Sequence, residues 1–119
     1  MALDPAPRRE LHWSRKDKSV ARGAFETALA RENASVREEV ERMLQGSKEA
    51  AAVWDVLEFL SNKQREIQQK YDYRYSVLTG VFARLLYEGW VTEKDLSGLA
   101  PEKLALIRRG AGTARELDA

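Results

Sequence analysis

The chain has 119 residues, of which 33% are charged, with a formal net charge of +1 at pH 7 and no cysteine. This length fits one domain, and the balanced charges give no general attraction to nucleic acid or to an anionic membrane. The lack of cysteine excludes a disulfide framework, a thiol nucleophile and a zinc–thiolate site, and no signal peptide or spanning segment is recognisable, so we expect a cytoplasmic protein.

The first long helix is predicted to follow a short lead-in. Residues 1–12 carry two of the three prolines and no apolar period, and we expect them, including His12, to be mobile and without function. Ser14 and Asp17 have the spacing of a capping box, which predicts that a helix begins there. It should run to about Gln45, because one side carries an apolar stripe formed by Ala21, Phe25, Ala28, Leu29, Val36, Val40, Met43 and Leu44.

A second long helix is predicted after a sharp turn. Gly46 and Ser47 read as a C-cap glycine followed by a new N-cap, so two long helices should lie antiparallel. Between Val53 and Gly89 the apolar residues recur at helical steps, at Val53, Leu57, Leu60, Ile67, Tyr71, Tyr75, Leu78, Phe82 and Leu85. A bend or break is expected at residues 71–75, where aromatic residues crowd around an aspartate. Beside this stripe runs a band with the composition of a contact surface: Trp54, Glu58, Ser61 and Arg65.

The C-terminal part is predicted to hold shorter helices. Gly89 should end the third helix, and Thr92 and Asp95 form another capping box. Pro101 fits the first position of a last helix over residues 102–109, which Gly110 should end. Residues 111–119 are expected to be a disordered tail. Strands have no place to begin, so the fold class is all-α, with one domain over residues 13–110.

Two long amphipathic helices in so short a chain cannot cover their own apolar sides, which predicts an elongated homodimer. The residues expected at its interface are apolar positions of both helices: Phe25, Leu29, Val36, Val40, Val53 and Leu60. The alternative is that Trp54, Phe25, Trp90 and the tyrosines of residues 71–75 complete the core of a monomer.

The sequence shows no motif for catalysis, for a metal or for another cofactor. Convergent acid–base groups, clustered metal ligands and a glycine-rich phosphate loop are all missing, so we expect a protein that is not an enzyme. The tyrosines of residues 71–75 could stack on bases, but no lysine-rich stripe accompanies them. Core packing, with Asp72 and Arg74 at the surface, is therefore the favoured interpretation over nucleic-acid binding. The charges of residues 37–42 indicate a solvated helix face.

Several motifs resemble those of the fluorescence recovery protein family of cyanobacteria. The most specific are KYDxRxSV at residues 70–77 and VFAxLLxEG at residues 81–89, with weaker support from Trp13-Ser14 and from FxxAxxRE ending at Glu32. The resemblance covers residues 13–107. It implies a dimeric all-helical regulator that binds the C-terminal domain of photoactivated orange carotenoid protein, detaches it from the phycobilisome near the thylakoid and speeds its return to the resting form.

The partner-binding patch that the resemblance implies is only partly present. The family pattern is a tryptophan, a His-Asp pair three and four residues later, and an arginine ten residues after the tryptophan. This chain has Trp54, Leu57, Glu58 and Gln64 at those positions, with Arg65 one residue further on. The departures leave open a second interpretation, in which the protein is a related dimeric adaptor from a bacterium without phycobilisomes and binds another protein.

Overall fold

The computed structural model describes residues 11–118, which form four α-helices and no strand. Helix α1 spans Arg15–Gly46, α2 Ala52–Lys70, α3 Leu78–Glu88 and α4 Pro101–Asp118. The predicted all-α class is confirmed.

Helix α1 begins at the predicted capping box. The backbone N–H of Asp17 donates to Ser14 Oγ at 3.0 Å, and the backbone N–H of Ser14 donates to Asp17 Oδ2 at 3.1 Å. The two bonds satisfy amide groups that lack partners within the helix. With 32 residues, α1 is about 48 Å long.

Helices α1 and α2 form an antiparallel hairpin, as predicted. Phe59 of α2 lines a cleft with Val36 of α1. Lys70, later in α2, contacts Glu32, which comes before Val36 in α1, so the two helices run in opposite directions. The predicted start of α2 after Ser47 was wrong, because Ser47 is the C-cap of α1 and α2 begins only at Ala52. The Ser47 hydroxyl accepts a long 3.4 Å bond from the backbone of the connecting turn and caps no helix.

The predicted break after α2 occurs at residues 71–77, which run back along α1 towards its N-terminus. Tyr71 contacts Phe25 and the carboxylate of Glu32, and Tyr73 also packs edge-on against Phe25 with ring centroids 4.7 Å apart. Tyr75 lies against Trp13, 5.3 Å between centroids. The segment therefore joins the hairpin to the helices that follow.

The C-terminal helices and the first half of α1 pack into a unit that we call the head. It consists of residues 11–32 and 71–118. Gly89 ends α3 as predicted, with a φ of 87° that suits glycine, and Thr92 and Asp95 exchange the two hydrogen bonds of a capping box. The core of the head contains fully buried side chains from α3, α4 and the intervening turn: Leu78, Phe82, Leu85, Val91, Leu96 and Ile107.

Two predicted mobile segments are ordered where the structure describes them. Helix α4 continues past Arg109 to Asp118, and Ala111 is buried, so the prediction of a disordered tail was wrong over residues 111–118. Gly110 does not end the helix; a Cβ on it would lie 2.7 Å from the methyl group of Ala83, so the missing side chain lets α4 pack closely on α3. Residues 1–10 of the predicted lead-in lie outside the described residues. Leu11 packs against the core and the His12 carbonyl accepts a hydrogen bond from Lys103.

The remaining part, residues 33–70, projects from the head as a two-helix arm that ends at the turn after Gly46. The molecule measures 63 × 36 × 27 Å and its radius of gyration is 18.0 Å. A spherical domain of this length has a radius of gyration of about 13.5 Å. The arm therefore accounts for an elongated single chain.

Candidate protein interaction surface

Helix α2 leaves a row of large apolar side chains exposed. Its only buried residues are Ala52 and Lys70, one at each end. Between them Val53 is 51% exposed, Trp54 67%, Leu57 54% and Leu60 39%; we call these four residues the α2 stripe. Large contiguous apolar surface is uncommon on monomers and marks interaction sites.

Three residues of the α2 stripe, Val53, Leu57 and Leu60, begin the apolar series that the sequence shows between Val53 and Leu85. The series reads as one continuous face, but the chain leaves the helix after Lys70. The later members Leu78, Phe82 and Leu85 are fully buried in the head, whereas Val53, Leu57 and Leu60 face outwards. The same periodicity therefore forms a core at one end of the molecule and an open surface at the other.

The remaining residues predicted for partner binding flank the α2 stripe. Glu58, Gln64 and Arg65 are all exposed. In the part of the chain that the structure describes, Glu58 and Arg65 form no ion pair, so both charges are free to meet another molecule. The spacing places Trp54, Glu58 and Arg65 along one side of α2.

The residues predicted for a dimer interface do not share one environment. Phe25 is 8% exposed and packs between Tyr71 and Tyr73 in the head, because the break after α2 brings these two rings onto it. The prediction of Phe25 as an interface residue was therefore wrong. Leu29, Val36 and Val40 are half-buried along α1. Val53 and Leu60 belong to the exposed α2 stripe.

A buried ionic cluster joins the arm to the head. Lys70 Nζ lies 2.6 Å from Glu32 Oε2 of α1 and 2.8 Å from Glu88 Oε1 of α3, and its side chain is 1% exposed. The Tyr71 hydroxyl donates to the second oxygen of Glu32, and Arg84 donates to Glu88. The ammonium charge is thus compensated by two carboxylates from two different helices, as a buried charge requires.

The electrostatics of this cluster follow from burial and pairing. Burial alone would raise the pKa of Glu88, but the hydrogen bonds from Lys70 and Arg84 outweigh it and lower that pKa. Burial raises the pKa of Tyr71, and the bond to the Glu32 carboxylate raises it further. Sequence reasoning missed the cluster, because Glu32, Lys70 and Glu88 lie far apart along the chain and no local spacing links them.

A second buried pair fixes the N-terminus of α1 to α4. Lys103 Nζ lies 3.1 Å from Asp17 Oδ2, and the Ala100 backbone N–H donates to the other oxygen of Asp17 at 3.0 Å. Burial of Asp17 opposes ionisation, but the hydrogen bonds from the backbone of Ala100 and Ser14 and from Lys103 lower its pKa to about 2. The capping residue therefore also holds the head together.

Over residues 11–118, no group of three His, Asp or Glu side chains is placed to hold a metal ion. None of the described helices combines the length and the apolar character that crossing a membrane requires. What the geometry offers is an apolar row with charged flanks.

The fold and the α2 stripe define an all-helical protein with a packed head and a hairpin arm that exposes an apolar face. A sequence profile described as photoprotection regulator fluorescence recovery protein matches residues 13–110. The chain belongs to the fluorescence recovery protein family, and it is therefore a member of a family of photoprotection regulators, which confirms the resemblance read from the motifs.

Individual relatives agree with this assignment. The fluorescence recovery protein of Synechocystis sp. is 35% identical over 99 residues, which are 83% of this chain and 91% of the relative. Its solved structure superposes with a TM-score of 0.77 and covers 84% of this chain and 98% of that one. The solved structure of the Fremyella diplosiphon fluorescence recovery protein is 38% identical, with the same TM-score and coverage.

Proposed function

We propose that this protein is a non-enzymatic regulator that binds the C-terminal domain of photoactivated orange carotenoid protein and accelerates its return to the resting orange form. The observation that carries the proposal is membership of the family over residues 13–110 together with an exposed Trp54 at the position of the family's tryptophan. Exposed tryptophans surrounded by apolar neighbours are the usual anchors of protein interfaces. The protein would act in the cytoplasm, near phycobilisomes attached to thylakoids.

The proposed contact uses Trp54 and Leu57 as apolar anchors, with Glu58, Gln64 and Arg65 around them. Glu58 supplies the negative charge of the family pattern on a side chain longer by one methylene. Gln64 lacks the positive charge of the family's arginine, and Arg65 offers it about 100° further round the helix. Binding should therefore rest more on apolar burial and less on a charge pair than the family pattern implies.

The second candidate is a dimeric adaptor for another protein partner, with little or no action on orange carotenoid protein. Leu57 and Gln64 favour it, because they replace two polar positions of the family's patch by an apolar and an uncharged side chain. Losing one partner of a desolvated ion pair weakens an interface by roughly 2 to 5 kcal/mol, enough to abolish a micromolar interaction.

One kinetic experiment separates the two candidates. The protein is mixed with light-activated orange carotenoid protein, and the loss of the red absorbance is followed in the dark. The first candidate predicts faster decay that saturates with added protein and slows at least about tenfold in Trp54→Ala, a loss of about 1.4 kcal/mol of binding. Glu38→Ala, at an exposed position of α1 outside the proposed contact, is the control and should keep full activity. Unchanged decay at excess protein rejects the first candidate.

We further propose a homodimer held by Val53 and Leu60 of the α2 stripe, with Leu57 at the boundary between this interface and the partner contact of Trp54. Val53, Leu57 and Leu60 lie on one side of α2, and Leu44 near the end of α1 is also 47% exposed, so a second copy could cover the arm. The half-buried Leu29, Val36 and Val40 would border this contact. Phe25 is not part of it.

Light scattering coupled to size exclusion tests the dimer. We expect the mass of two chains at micromolar concentration, and the mass of one chain for Leu57→Glu, because a carboxylate on the stripe must stay solvated. Asn62→Glu introduces the same charge away from the stripe and should leave the dimer intact. A wild-type mass of one chain, or a dimeric Leu57→Glu, would reject the proposed interface.

A further inference from the structure

A second surface, unrelated to the α2 stripe, lies at the N-terminal end of α1. Arg15, Lys18 and Arg22 follow one another at steps of three and four, so they share one side of the helix, and all three are exposed. Tyr73 and Tyr75 from the segment after α2 lie beside them. We call these five residues the proximal basic patch.

Aromatic rings hold two of the three cations in place. The guanidinium carbon of Arg22 lies 4.0 Å from the centroid of the Tyr73 ring, and Lys18 Nζ lies 5.3 Å from the centroid of the Tyr75 ring. Such cation–π contacts restrict the long side chains while leaving their charged ends in solvent. Less conformational entropy is then lost when another molecule binds these groups.

The cations of the patch have no carboxylate partners within the described residues. The neighbouring acids are committed elsewhere: Asp17 pairs with Lys103, and Asp72 pairs with Arg74 at 2.6 Å. Glu26 follows Arg22 by one turn of α1 but forms no ion pair with it. By contrast, Arg31 further along α1 is paired with Asp95 at 2.6 Å.

Charge is segregated along α1 although the whole chain is nearly neutral. Residues 15–31 contain five basic and two acidic side chains, whereas residues 32–46 contain four acidic and two basic ones. The patch is therefore a local positive region. It lies about 40 Å from the turn at the end of the arm, given the rise of 1.5 Å per helical residue.

We propose that the proximal basic patch is a second binding surface, which takes an acidic segment of a protein partner. Carboxylates of that segment would pair with Arg15, Lys18 and Arg22, and Tyr75, which is 37% exposed, would contact its apolar parts. The three cations span about 10 Å of helix, the length of a few residues of extended peptide.

The geometry favours a protein segment over a nucleic acid. Single-stranded nucleic acids stack bases on free aromatic faces. Here Arg22 lies over the ring of Tyr73 and Lys18 over that of Tyr75, and the Tyr73 ring also packs against Phe25 and against Tyr75 at 5.6 Å between centroids. The Tyr73 ring therefore has no free face for stacking, and Tyr75 alone keeps substantial exposed surface. The proposal goes beyond the regulatory function, because it concerns a surface remote from Trp54.

Binding of a defined acidic peptide tests the proposal. The probe is a fluorescently labelled peptide of twelve residues, rich in Asp and Glu, whose anisotropy is followed at low salt. We expect saturable binding that Lys18→Glu/Arg22→Glu weakens at least about tenfold, since two attractive contacts become repulsive. The matched control is Lys48→Glu/Lys94→Glu, which makes the same change of net charge at two exposed lysines outside the patch and should weaken binding less than about twofold.

Two further measurements keep the test decisive. Arg15→Glu removes a cation that stacks on neither tyrosine, so it should preserve the fold and still weaken binding about threefold, and equal melting curves verify the fold. A single-stranded oligonucleotide of equal charge should bind less tightly than the peptide. Equal losses in the patch and control variants, no binding by the wild type, or tighter binding of the oligonucleotide would each overturn the proposal.

Discussion

The head and the arm use the same kind of amphipathic helix with opposite results. Every buried residue of α1 lies between Asp17 and Glu32, and across residues 33–69 only Ala52 is buried. In the head, residues 71–77, the turn before α4 and Lys103 of α4 pack against α1, and one side of α1 is buried in a common core with α3 and α4. In the arm, α1 and α2 have only each other, and the outer side of α2 stays open. The comparison shows that the apolar pattern of a helix does not decide what covers it; the path of the chain does.

The largest expected effect separates a core residue of the head from an apolar residue of the arm. Phe82→Ala should lower the free energy of unfolding by about 4 kcal/mol at every protein concentration, because Phe82 is fully buried and leaves a cavity. Leu57→Ala should lower the melting temperature only where the wild type is dimeric, because its contacts are with a second copy. Thermal unfolding at high and low concentration checks both. A loss for Leu57→Ala that persists on dilution would place this side chain within the monomer.

The junction between head and arm should be nearly as sensitive. Lys70→Met fills a similar volume but leaves the carboxylates of Glu32 and Glu88 without their shared cation, which we expect to cost about 3 kcal/mol. Denaturant unfolding measures the loss. Lys63→Met, at a lysine on α2 that lies 3.4 Å from Glu66 and remains partly exposed, is the control and should change stability by less than about 1 kcal/mol. Similar losses for both would show that the buried cluster has no special role.

The sequence predicts local features of this fold well. The capping boxes at Ser14 and Thr92, the glycine end of α3 and the break after Lys70 all depend on residues a few positions apart, and all are present. The error at Gly110 has a different origin. A glycine at this position of the sequence predicts the end of a helix. Only the structure shows that Ala83 of α3 approaches Gly110 so closely that no side chain would fit there.

The candidate site was predictable in composition but not in its environment. Helical spacing puts Trp54 and Leu57 on an outer side of α2, and both are exposed. The same reasoning placed Phe25 at an interface, because nothing local indicates that Tyr71 and Tyr73 return to cover it. It also missed the proximal basic patch, whose cations come from α1 and whose tyrosines come from a segment about 50 residues later in the chain.

The buried pair of Asp17 and Lys103 should make the stability of the head depend on pH. The folded pKa of Asp17 is about 2, below the ordinary 3.8, so its contribution to stability is present above about pH 4 and is lost as the pH falls towards about 2. Asp17→Asn should be less stable than the wild type at about pH 6, by about 2 kcal/mol. The difference should shrink towards about pH 2, where the wild-type carboxyl becomes protonated.

Urea unfolding at several pH values measures this difference. Glu116→Gln, at an exposed residue outside every ion pair of the described chain, is the control and should track the wild type throughout. A gap between wild type and Asp17→Asn that stays constant from about pH 6 to about pH 2 would mean that the ionisation of Asp17 does not stabilise the head.

The smallest effect is expected on the polar side of the arm. It tests how far the proposed dimer interface extends. Arg37 and Glu41 form a 3.2 Å ion pair whose side chains are 83% and 56% exposed, with the cation N-terminal to the acid, the less favourable order in a helix. A double-mutant cycle of Arg37→Ala and Glu41→Ala should give a coupling energy below about 0.5 kcal/mol. Exposed pairs keep that value only while water surrounds them. A coupling above about 1 kcal/mol that disappears on dilution would show that a second copy covers this side of α1 as well, and the proposed interface would then extend beyond the α2 stripe.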